Sequence, residues 1–79
     1  MLVSKVKEAM KGKDITIRDL VAETGLSSKT VNKARQNEGI SECRLSTLGR
    51  IAHALDVPVK DLFDGEYEPK EDENAQGKD

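Results

Sequence analysis

Apolar side chains return at intervals of three and four residues along nearly the whole chain as far as Phe63, and no run sustains the period of two that a half-buried strand needs. Aromatic residues make up only 3% of the sequence, so the clusters that fill sheet proteins are missing too. The expectation is an all-α chain. With 79 residues it has room for one domain and none for a second that senses a ligand. A domain of that size buries only about 60% of the surface its unfolded chain exposes, so its stability margin is small.

Five helices are legible. Leu2, Val3, Val6, Ala9 and Met10 form a stripe that Gly12 ends, which predicts a first helix over residues 2–11. Thr16 with Asp19 three positions on is a capping pair that opens a second, with Ile17, Leu20 and Val21 on one face. Gly25 stops it, at a place where the chain must turn sharply and a positive φ is needed. Ser27 caps a third helix that turns Val31 and Ala34 inward and Ser28, Lys29, Asn32, Lys33 and Gln36 outward, ending near Asn37 to Gly39. After a polar connection, Leu45, Leu48, Ile51, Ala52 and Leu55 mark a fourth, closed by Asp56-Val57-Pro58. Pro58 opens a short fifth that brings back Val59, Leu62 and Phe63. The folded domain is expected over residues 1–64. Residues 65–79 are charged and poor in core formers, which predicts a disordered acidic tail.

The formal net charge of -2 argues at first against a polyanionic partner. It is unevenly spread. Residues 1–63 carry eleven basic and eight acidic side chains, a surplus of +3, whereas from Asp64 onward seven acids face Lys70 and Lys78. The folded part therefore permits nucleic-acid binding.

Other classes are disfavoured. The single Cys43 allows no internal disulfide, and with His53 it cannot complete a four-ligand zinc set, so no metal or cofactor is expected and a reducing compartment is. No apolar run nears the roughly 18 residues that span a bilayer, and the opening lacks a secretory core, which points to the cytoplasm and away from a membrane. No histidine, serine and acid grouping suggests hydrolysis and no glycine loop suits a phosphate, so an enzyme is not expected. His53 reads as a surface residue on the outer side of the fourth helix, with Ser46, Gly49 and Arg50. Cys43 reads as a loop or partly buried thiol.

The most informative stretch is the pair of short helices joined by Thr24-Gly25-Leu26, spanning Thr16 to Gln36. Leu20, Leu26, Val31 and Ala34 lock the two at a fixed angle and leave the outer face of the third helix free. The run TIRDLVAETGLSSKTVNKARQ, followed by LSTLGRIAHALDVPVKDLF, resembles the phage-repressor-like family of helix-turn-helix regulators, the lambda-repressor-like fold of Cro/XRE type. With the first helix the resemblance covers residues 1 to about 64. It implies a compact five-helix DNA-binding domain. The second helix then crosses the DNA backbone and the third enters the major groove, with Ser28, Lys29, Asn32 and Lys33 as base readers. Ser27, Thr30, Gln36 and Arg44 are placed for phosphates, helped by helix N-terminal amides. Where the family commonly has a phosphate-clamping glutamine this chain has Ile17, which passes that contact to Thr16 or Arg18.

Each role has a plainer counterpart. Lys29 and Lys33 can be a solvated helix face, Ser27 is a cap as well as a contact, and Arg44 and Ser41 can simply cap the fourth helix. The resemblance implies a transcription regulator, with repression as its precedent, bound to double-stranded DNA as a homodimer on a palindromic site. The alternative is a DNA-binding antitoxin or interaction module whose acidic tail holds a protein partner.

Overall fold

The first helix begins four residues later than its apolar stripe predicts, because Val3–Ser4 (β1) is extended and α1 runs Val6–Lys13. These elements belong to a computed structural model that describes residues 2–68. Ser4 explains the delay. Its hydroxyl donates to the Ala34 carbonyl at 2.6 Å, its amide donates to Asn37 Oδ1 at 2.9 Å, and the next amide, of Lys5, donates to the Leu62 carbonyl at 2.7 Å. Distant partners thus hold the backbone extended where local spacing favours a helix. Leu2 still reaches the core, but Val3 is exposed. Gly12, expected to end α1, lies inside it and faces open space.

The helices α2 (Ile17–Thr24) and α3 (Ser28–Ala34) follow as predicted in place and order. The polar connection after them is a correction. Asn37–Ile40 forms a one-turn helix, α4, and α3 already ends at Ala34. Ile40 is fully buried and Cys43 nearly so, which makes this segment part of the core. It packs so closely that a Cβ on Gly39 would stand 2.8 Å from Lys33 Cγ and 2.9 Å from the Lys33 carbonyl carbon. Only glycine fits at that crossing.

The stripe of α5 (Leu45–Leu55) is as expected, with Leu48, Ile51 and Leu55 fully buried, while Leu45 is left exposed. Burying each such side chain contributes about 1.5 to 3 kcal/mol. Both α1 and α5 close with an aspartate in the left-handed region, Asp14 at φ 57° and Asp56 at φ 58°. The amide after each reaches back five residues, Ile15 to the Met10 carbonyl at 2.9 Å and Val57 to the Ala52 carbonyl at 3.0 Å. That is the Schellman closure, which glycine normally occupies.

The expected fifth α-helix is a 3-10 helix, Val59–Leu62, with Pro58 as its extended N-cap rather than its first residue. Leu62 is fully buried, with Val59 and Phe63 packed against the core. Phe63–Asp64 (β2) then pairs antiparallel with β1, Val3 opposite Asp64 and Ser4 opposite Phe63. Tyr67, expected in the disordered tail, instead packs on the domain. Its ring lies 5.1 Å from that of Phe63 and its hydroxyl donates to the Cys43 carbonyl. The remainder of the tail, residues 69–79, lies outside the described residues. Among those described, no helix is long and apolar enough to cross a membrane.

Candidate nucleic-acid interface

Local capping builds the frame of the site. Thr16, extended at φ -92° and ψ 170°, accepts the Asp19 amide at 3.1 Å, and Asp19 Oδ2 accepts the Thr16 amide at 3.0 Å. Two unpaired amides at the start of α2 are thereby satisfied, completing the predicted capping pair as a reciprocal box. The bond from the Thr16 amide, the bond with its side chain and the nearby Arg18 together hold the Asp19 carboxyl below its ordinary range.

The turn that follows is closed by three groups. Gly25 takes φ 76°, the left-handed conformation expected of it, and its amide donates to the Val21 carbonyl at 3.0 Å. Thr24, whose part in the turn the sequence did not reveal, donates through its hydroxyl to the Leu20 carbonyl at 2.6 Å and accepts the Leu26 amide at 3.1 Å. From α5, Arg50 Nη1 reaches the Thr24 carbonyl at 3.3 Å. Arg50 lines a groove of 510 Å³ with Glu23, Ser46, Gly49 and His53.

Ser27 is the N-cap of α3, accepting the Thr30 amide at 3.1 Å and donating to Thr30 Oγ1 at 3.0 Å. Behind the helix, Val31 and Ala34 are fully buried and Leu26 half-buried, so the lock has the side chains expected of it. In front, Ser28, Lys29, Asn32 and Lys33 are all exposed. A seven-residue helix cannot hold itself in water, so its orientation comes from that buried side.

Two of these four are engaged. Lys33 Nζ pairs with Glu42 Oε1 at 3.1 Å, both side chains about half exposed, and Asn32 Oδ1 accepts from Arg35 Nη1 at 3.0 Å. Neither Glu42 nor Arg35 stood out in the sequence. Both lie outside the quartet of outward α3 positions, and only the fold brings Glu42 to Lys33.

Thr30, Lys33 and Arg44 meet in one depression of 200 Å³, lined also by Glu42, Cys43 and Thr47. Gln36 and Arg44 are the extended N-caps of α4 and α5, both exposed, and neither makes a side-chain capping bond. Ser41 does cap, but α4 rather than α5: its hydroxyl donates to the Glu38 carbonyl at 2.8 Å. Thr16 and Arg18 are exposed at the start of α2 and do not line that depression. Cys43 is buried, its Sγ 3.5 Å from the Gly39 carbonyl, and burial pushes the thiol up, away from the reactive thiolate.

Two capped helices joined by a glycine turn, the second presenting a polar face over a packed apolar one, make a helix-turn-helix of the DNA-binding kind. Residues 5–69 match the Cro/C1-type HTH DNA-binding domain, and the chain belongs to that family of DNA-binding domains. No match to a curated protein was found.

Proposed function

We propose that the protein is a cytoplasmic, sequence-specific regulator of transcription that represses by occupying double-stranded DNA. In this reading α3 enters the major groove and Ser28, Lys29, Asn32 and Lys33 read base edges, while Thr16, Arg18, Ser27, Thr30, Gln36 and Arg44 hold phosphates. The observation that carries it is the exposed face of α3, which a buried Val31 and Ala34 hold behind a capped turn. Lys33 exchanges Glu42 for DNA on binding, which costs little because that pair is solvent-exposed. Two copies bind a palindrome with half-sites about one helical turn apart.

The test is selection of bound duplexes from a random pool at two salt concentrations. Lys29→Ala is expected to relax preference at particular base pairs by about 1 to 3 kcal/mol. A uniform loss across sequences makes Lys29 a phosphate contact instead. Failure to enrich any sequence, with binding indifferent to salt, overturns the proposal.

The acidic surplus from Asp64 onward supports a second reading, a DNA-binding antitoxin whose tail holds a basic partner. Protection of residues beyond 68 from protease by a co-purifying basic protein favours it. A tail cut equally with and without DNA favours the first reading.

A further inference from the structure

Asn32 is expected from its chemistry to grip adenine at two points, its oxygen accepting from N6 and its amide nitrogen donating to N7. The structure does not leave that oxygen uncommitted. Arg35 Nη1 stands 3.0 Å from it, and a guanidinium carries only donors, so the amide atom facing Arg35 must be the oxygen. The NH2 group is consequently directed elsewhere. Arg35 is itself constrained: the residue is half-buried and its Nε is buried with no hydrogen-bond partner. An unsatisfied N–H on a charged group opposes folding, so removing that atom carries no penalty of its own.

We propose that Arg35 is a positioning residue that occupies one lone pair of Asn32 Oδ1, leaves the NH2 group as its freer contact and so shifts its base preference from adenine to guanine. Guanine presents two neighbouring acceptors, O6 and N7, to which an NH2 group can donate. Adenine offers one acceptor and one donor, and the donor would have to use the second lone pair of Asn32 Oδ1, close beside the guanidinium. The inference rests on α3 being the helix that reads DNA.

Substitutions separate the two. Arg35→Met keeps the length and apolar packing of the stem, removes the unpartnered Nε and releases Asn32 Oδ1, so the variant should fold at least as well as the parent. The base pair read by Asn32 is the one whose preference collapses in Asn32→Ala. At that pair the parent is expected to favour guanine over adenine by about tenfold, Arg35→Met to shift to adenine there and nowhere else, and Arg35→Lys, which keeps a donor, to hold guanine. Parental preference for adenine, or an unchanged preference in Arg35→Met, overturns the proposal. So does a free-protein NMR spectrum in which Arg35→Met leaves the Asn32 side-chain amide resonances unmoved, even if DNA is bound with full specificity. No enriched sequence for the parent overturns the DNA reading, and this one with it.

Discussion

Within the helix-turn-helix, Thr16, Thr24, Ser27 and Arg35 all bond to partners two to four positions away. In the surrounding frame, Ser4 reaches Ala34 and Asn37, and Tyr67 reaches Cys43, across separations of 24 to 33 residues. The same molecule therefore uses two kinds of fastening. Apart from Arg50 at the Thr24 carbonyl and Glu42 on Lys33, the helix-turn-helix is fastened within its own short segment, and the part that braces it is fastened across the whole chain. Damage to the frame should lower global stability, whereas damage to the local caps should loosen the exposed face of α3 first.

The largest effect is expected where the frame admits no side chain at all. Gly39→Ala drives a methyl into Lys33 and forces α4 off the end of α3, at a cost of about 3 kcal/mol in urea unfolding. A loss below about 1 kcal/mol would mean that α4 yields freely, and the contrast with the local half would weaken. Ser4→Ala comes next. It strips the donor from a buried Ala34 carbonyl and should cost about 2 kcal/mol by the same measurement.

Two alanines of opposite sign, one at the turn of the helix-turn-helix and one in α1, probe backbone conformation. Gly25→Ala must hold φ 76° with a Cβ and should lose about 1 kcal/mol, although nothing crowds the position. Gly12→Ala, inside α1 and facing open space, should gain about 0.5 to 1 kcal/mol. Equal signs in thermal unfolding would show that backbone conformation does not decide these sites.

The smallest effect belongs to Asp19. Its carboxyl titrates below the ordinary 3.8 when folded, so its contribution is present above that pH and is lost as pH falls through the lower folded value. Asp19→Asn should therefore show a shallower fall in stability below pH 4 than the parent, a prediction checked by urea midpoints across an acid series.

The division between the two halves also explains what was legible in the sequence. The Thr16 and Asp19 box, the Gly25 turn and the Ser27 cap were readable because each signal and its partner lie within one turn of helix. So was the stripe of α5, whose period needs no outside knowledge. The start of α1 is not legible in local spacing because Ser4 takes its partners from residues 34 and 37. The one-turn α4 was hidden because only Ile40 is apolar within it, and a glycine whose purpose is a close crossing resembles one that ends a helix. Tyr67 reads as tail because its neighbours in sequence are polar, whereas its neighbours in space are Phe63 and Cys43. At the site, the exposed quartet on α3 followed from helical spacing. The commitment of Asn32 to Arg35 did not, since an arginine three positions on has many rotamers and only the fold selects one.

The pairing of Ser4 with Phe63 also orders events in time. Closing a chain loop of about sixty residues costs on the order of 3 to 4 kcal/mol in entropy before any contact rewards it, so β1 and β2 are expected to meet late, after α2 and α3 have packed. Run backwards, the clasp is expected to open first. The Lys5 amide, held by Leu62, should then exchange its hydrogen through a partial opening, while the amides of Leu20 and Val31 wait for the whole molecule to unfold.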